Sequence, residues 1–240
     1  MSETELPPAF RGRRLVVFDL DGTLYRQAPL RRRMAAELVM HTLKRRDPTV
    51  VRILRDYRQR REALAEAGAA GFDGLLIDGC ARACGASPEE VRAVVVEWIE
   101  RRPLVHLAGA AVVGAADVFA RLTEAGVQVA VWSDYPVRDK LAALDLRADI
   151  VLAATDPELD RLKPDPRGLT MIMERAGVSA PETLMVGDRD ERDGAAARAL
   201  GVDFLRRSDR ARSSTPNIVR DFTAASLAEA HPRRSGTARP

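Results

Sequence analysis

The chain has 240 residues, 46% of them hydrophobic, with 38 basic against 35 acidic side chains and a net charge of +3. That hydrophobic share supplies a substantial core and excludes a disordered chain. Acids matching bases locally argue against a nucleic-acid binder, and no stretch approaches the ~20 apolar residues needed to span a bilayer.

Residues 1–11 are polar and proline-containing, a pattern expected of a mobile end with no apolar run for a secretory leader. Leu15, Val16, Val17 and Phe18 form an apolar, β-rich run that ends at Asp19 and is followed by Gly22. This reads as a buried strand delivering Asp19 into a tight loop.

From Gln27 to Leu107 the chain becomes helical, arginine-rich and almost free of strand signals. Helices are expected over 31–46 and 49–67, with glycine-containing interruptions at 68–74 and 79–87. Ser87-Pro88-Glu89-Glu90 is a helix start with Ser as N-cap and Pro in the first turn. Four or five helices are expected in this insert. Cys80 and Cys84 lack the further Cys or His of a zinc site and read as core or free thiols, consistent with a reducing cytoplasm.

After Gly109 helix and strand signals alternate: helix 111–125, strand 127–132, helix 136–144, strand 150–153, helix 167–176, strand 183–186, helix 194–200 and strand 202–205. Such repetition implies a parallel sheet. The expected architecture is α/β: a doubly wound, Rossmann-like parallel-sheet core from residues 1–26 and 108–230. An α-helical block over 27–107 is spliced in after the first strand, and 231–240 is expected to be a mobile tail.

In an open parallel sheet, ligands bind beyond the carboxyl ends of the strands. Four polar groups are expected there. Asp19 and Asp21, one residue apart around a turn permitted by Gly22, offer one carboxylate to attack and one to handle a proton. Ser133 ends the run of residues 129–132 with a hydroxyl suited to a phosphate oxygen. Lys163, before Pro164, offers an ammonium that offsets repulsion between carboxylate and phosphate. Asp188 ends another apolar run, with Asp193 five residues later. Acids from separate strands suit magnesium, and Asp19 and Asp188 fit that role.

With these four groups in this order, the sequence resembles the haloacid dehalogenase superfamily. The matching motifs are Asp19-Leu20-Asp21-Gly22-Thr23, Ser133, Lys163-Pro164, and Gly187-Asp188 through Asp193. The resemblance implies Asp19 as the nucleophile forming an aspartyl phosphate, Asp21 as general acid and base, and Ser133 and Lys163 as phosphate ligands. It implies Mg2+ held by the Asp19 carboxylate, the Asp21 main-chain carbonyl and Asp188, with Asp193 supporting the site. It likens the helical block to a mobile cap that closes over the substrate and supplies specificity. The acid at position 21 favours phosphoryl transfer, because the dehalogenases and phosphonate hydrolases of this resemblance usually lack one there.

The expected activity is hydrolysis of a small-molecule phosphate monoester, of the sugar phosphate, phosphoglycolate or nucleotide class, by a cytoplasmic enzyme with no membrane or nucleic-acid partner. Oligomeric state has no signal in the sequence. A phosphomutase would use the same aspartates, and a non-catalytic regulatory module would share the fold; the presence of every key acid argues against the latter. Asp134 departs from the Asn often found after the Ser in related sequences and is expected to turn away from phosphate or to pair with Arg. The turn at 71–74 reads as an interhelical loop that could also reach the site. The arginine runs 31–33 and 58–61 read as solvated helix faces.

Overall fold

A computed structural model describes residues 6–211 and 217–234. Its sheet has six strands, β1 (Leu15–Phe18), β2 (Gln128–Ser133), β3 (Ile150–Ala153), β4 (Thr183–Gly187), β5 (Asp203–Arg207) and β6 (Ile218–Val219), in the spatial order β3-β2-β1-β4-β5-β6. Every ladder is parallel, with Val16 opposite Val129 on one side and Leu184 on the other.

The chain moves outward from β1 through β2 to β3, then crosses to the other side of β1 to start β4. That reversal leaves a crevice at the carboxyl ends of β1, β2 and β4. Alternate residues of each strand point to opposite faces. Val16, Phe18, Val129, Val131, Leu184 and Val186 pack with Leu122 on one face. Leu15, Val17, Ala130, Trp132 and Met185 pack with Leu169 and Ile172 on the other. Both faces are therefore dry, as the unbroken apolar runs require.

Between β1 and the rest of the sheet lie α1 (Gln27–Arg45), α2 (Thr49–Glu66), α3 (Phe72–Cys84), α4 (Pro88–Val95), a π-helical turn (Val96–Arg101) and the short α5 (Leu104–Leu107). Ser87 caps α4 as expected: its side chain accepts from the Glu90 amide at 3.2 Å, and Glu90 accepts from the Ser87 amide at 2.7 Å. The two crossings into this insert run side by side, with Arg26 N donating to Ala110 O at 2.8 Å and Val112 N to Leu24 O at 3.0 Å. This pairing delays the helix expected at 111–125, which begins at Ala115 as α6 (Ala115–Glu124). The remaining helices are α7 (Arg138–Ala143), α8 (Arg167–Ala176), α9 (Ala195–Ala199) and α10 (Ala224–Leu227).

The insert has its own core, in which Ile53, Tyr57, Phe72, Leu76 and Val91 meet Ala154 and Leu162 of the α/β part. Phe72 opens α3 and is fully buried, so the segment 71–74 is a helix start and not an open interhelical loop; Gly71 N is anchored to Asp160 Oδ2 at 2.7 Å. Cys80 and Cys84 are free, and burial, then Cys84, pushes the Cys80 thiol up to about 12.

The amino-terminal stretch is a second correction. Pro8–Phe10 form a short 3-10 turn with Ala9 and Phe10 buried in the main core, because two apolar side chains find cover there. Of the expected tail, 235–240 lie outside the described residues, while Arg233 exchanges backbone hydrogen bonds with Phe204 at 2.8 and 3.1 Å. No helix among the described residues is long and apolar enough to cross a membrane.

Candidate active site

Asp19 leaves β1 with its amide bonded to Val186 O of β4 at 2.8 Å, which fixes where its side chain emerges. Its Oδ1 accepts from Lys163 Nζ at 2.7 Å and its Oδ2 from Thr23 Oγ1 at 3.0 Å. Gly22 adopts φ +104°, and a Cβ there would overlap the Asp188 carboxylate. The loop after β1 can therefore pass against Asp188 only with glycine at this position.

Lys163, 2% exposed, commits all three ammonium protons: to Asp19, to Asp193 Oδ1 at 2.8 Å and to Trp132 O at 2.8 Å. Burial works against its charge, but Asp19 and Asp193 hold it protonated well above the ordinary lysine range. Asp193 is tied in turn by its Oδ2 to the Arg189 amide at 3.1 Å. Carboxylate oxygens of Asp19, Asp188 and Asp193 lie within 4.8 Å of one another.

One ammonium among these acids leaves an excess of negative charge. Burial, with Asp193 next, pushes Asp188 up to about 7, and burial above all raises Asp19 as well. An all-oxygen, buried, under-compensated cluster is the donor set a hard divalent cation requires. The residues present fit such a cation.

Asp21 faces a different set of partners. Its Oδ2 accepts from Ser133 Oγ at 2.7 Å, and its Oδ1 accepts from Lys140 Nζ at 2.5 Å and from the Tyr25 hydroxyl. Burial alone would raise its carboxyl, but the charge and hydrogen bond of Lys140, with those of Tyr25 and Ser133, outweigh it and hold Asp21 below the usual range. The Asp21 carbonyl accepts from the Gln27 side-chain amide. Asp19, Asp21, Ser133, Lys163, Asp188 and Asp193, named from the sequence, thus converge on one crevice from three strand ends and two following loops.

Asp134 turns away from that crevice, its Oδ1 accepting from the Lys163 amide at 2.9 Å while its carbonyl takes a hydrogen bond from Arg61. Arg61 is 4% exposed and its guanidinium lies 4.0 Å from the Tyr135 ring centroid, so it belongs to no solvated face. Arg31 and Arg58 are exposed, as a solvated face requires, and they also line a cavity of about 550 Å3 whose lining includes Asp21, Tyr25 and Lys140. A helical pattern shows that a face is polar but not what stands opposite it.

Sequence reasoning missed Lys140 and Tyr25, and it gave Thr23, though part of the first motif, no role. Thr23 is four residues from Asp19 and could have been found from the turn. Lys140 is one of only three lysines, yet nothing local relates it to a carboxylate 119 positions earlier. Glu62 of α2 was also unmarked; it bridges to Arg189 at 3.0 Å and to Arg192 at 2.6 Å, tying the insert to the loop that carries Asp188 and Asp193.

Residues 13–201 match the family model of haloacid dehalogenase-like hydrolases. The chain is 30% identical over 195 residues to a phosphoglycolate phosphatase of Rhodospirillum rubrum, covering 79% of this chain and 77% of that protein. It is 30% identical over 205 residues to phosphoglycolate phosphatase 1 of Pseudomonas aeruginosa, covering 84% and 72%. In fold it is similar to a 2-haloacid dehalogenase from Pseudomonas syringae, with a TM-score of 0.59, 19% identity and coverage of 88% and 95%.

Proposed function

The chain belongs to the haloacid dehalogenase-like hydrolases, and within that family we propose that it is a Mg2+-dependent phosphatase of small phosphate monoesters working through an aspartyl phosphate on Asp19. The observation that carries this reading is Asp21, a second carboxylate beside the nucleophile, held by Ser133 and Lys140 where a leaving group and then a water need a proton handled. Displacement of halide needs no such acid, so Asp21 favours phosphate over haloacid as substrate. The relatives named phosphoglycolate phosphatase support the same side.

In this reading Asp19 attacks phosphorus, the bond from phosphorus to the ester oxygen breaks, and Asp21 protonates the departing alkoxide. Water, deprotonated by Asp21, then attacks the phosphorus of the aspartyl phosphate, freeing inorganic phosphate and restoring the Asp19 carboxylate. Lys163 and Thr23 hold the two Asp19 oxygens in place for attack, and Lys163 also offsets phosphoryl charge. Lys140 keeps Asp21 ionised at rest; a phosphoryl anion brought beside it favours the protonated form that the first step uses.

The side chains of Asp19 and Asp188 and the Asp21 carbonyl would hold Mg2+, with Asp193 in support. When bound, the cation offsets charge on the phosphoryl oxygens. The helical insert serves as a cap over this site, with Ser133 releasing Asp21 to bind a phosphoryl oxygen.

The test is phosphate release from an aryl phosphate and a panel of phosphorylated metabolites with Mg2+, alongside halide release from 2-chloropropionate. The expected result is phosphate release that falls at least about 10^3-fold in Asp19→Asn, a folded variant by circular dichroism. Halide release without phosphate release, or equal activity of the variant, overturns the reading.

A further inference from the structure

The cavity above Asp21 is larger and more apolar than a two-carbon phosphate ester requires. At about 550 Å3 it falls in the ~300–1,000 Å3 range that encloses ligands of many atoms. Leu30 and Met34 of α1, Leu54 of α2, and Trp98 and Ile99 of the π-helical turn supply its wall. The wider π turn reduces the angle between successive side chains, so neighbouring Trp98 and Ile99 both reach the cavity. A phosphate ester lacking an apolar body would leave this wall wet.

The charges of the cavity are also unbalanced in one direction. Lys140 is committed to Asp21, and Glu62 to Arg189 and Arg192. The two remaining charged side chains of the lining are Arg31 and Arg58. Arg31 donates to the neutral Gln27 side chain, and Arg58 has no hydrogen bond or ion pair among the described residues. Two exposed guanidiniums on the insert's helices at this cavity offer a pairing site for an anion in addition to the phosphoryl group that Asp19 attacks.

We propose that this cavity takes a phosphate monoester whose leaving group combines an apolar or aromatic body, packed on Trp98, with a distal carboxylate or second phosphate, paired with Arg58 and Arg31. This rests on the phosphatase reading of Asp19 and names the substrate class of that same site. Phosphoglycolate carries the anion without the body; phenyl phosphate carries the body without the anion.

The experiment measures kcat/KM of the full chain with Mg2+ for phosphoglycolate, phenyl phosphate, 4-carboxyphenyl phosphate and 1,4-phenylene bisphosphate. The expected result is that at least one of the last two exceeds both of the first two tenfold or more, and which one leads identifies the distal anion. Arg58→Ala is expected to lower that ester's kcat/KM at least tenfold more than that of phenyl phosphate, with partial recovery in Arg58→Lys. Trp98→Ala is expected to narrow its advantage over phosphoglycolate. Phosphoglycolate matching the larger esters, or an Arg58→Ala loss equal for all four, overturns the proposal.

If no ester releases phosphate, the phosphatase reading fails, and calorimetric binding of the same four compounds decides the present one. Binding of a body-plus-anion ester at least tenfold tighter than of phosphoglycolate and phenyl phosphate supports it; equal affinities overturn it.

Discussion

At the strand ends, Lys163 gives its three protons to Asp19, Asp193 and the Trp132 carbonyl, and Asp21 takes hydrogen bonds from Ser133, Lys140 and Tyr25. On the insert's side of the same cavity, among the described residues, Arg58 has no such partner and Arg31 meets only a neutral amide. The first region is a closed network of buried charges, in which removing any member leaves another unpaired at high cost. The second is an open set of cations on two amphipathic helices. Groups already satisfied by the protein position a reaction; exposed cations without a protein partner stay available to a ligand.

The sharpest way to break this contrast is at Asp21. Asp21→Asn keeps the shape but removes proton transfer, and phosphate release is expected to fall by about 10^2- to 10^4-fold, measured on protein that circular dichroism shows to be folded. A variant within a factor of three of wild type, measured by steady-state phosphate release, would take Asp21 out of the closed network's chemistry.

Lys140 tests whether that network extends to α7. Lys140→Met preserves the buried stem and removes a charge-assisted hydrogen bond, an interaction of about 1.5–3 kcal/mol. If that interaction positions Asp21 for reaction, kcat drops by roughly 10- to 10^2-fold while KM changes little. A change confined to KM would instead assign Lys140 to substrate binding with Arg31 and Arg58.

The smallest effect is expected at Glu62, the link between the two regions. Hydrogen bonding from Arg189, against opposing burial, holds its carboxyl below the ordinary range. A group with a lowered folded value contributes stability above its unfolded pKa and loses it as pH falls through the folded one. Half-exposed ion pairs contribute about 0.2–1 kcal/mol. Thermal unfolding between pH 6 and 3 is expected to show Glu62→Gln slightly less stable than wild type at pH 6, with the difference gone near pH 3. A difference that grows toward acid would contradict the pairing.

Much of this architecture was legible before any coordinate. β1 and β3 have the limits expected from their apolar runs, and α8 spans the 167–176 expected of it. Unbroken β-rich runs ending in Asp or Ser carry both the strand and the site residue, because a parallel sheet buries both faces and releases its polar residues only at the ends. The two-residue β6 had no such run, and the burial of Phe10 depended on a core assembled from elsewhere in the chain.

The chain order of Asp19, Asp21, Ser133, Lys163, Asp188 and Asp193 was enough to assign them to one crevice, since strand ends of a parallel sheet share an edge whatever lies between them. The sequence by itself determined that these six groups meet there. Only the tertiary structure decided what each one touches: that Lys140 reaches Asp21, that Asp134 turns to the Lys163 amide, and that the exposed Arg31 and Arg58 also line the cavity that Asp21 borders. Periodicity along a helix records which side is apolar, but what a charged side chain faces depends on distant segments whose approach no local pattern encodes.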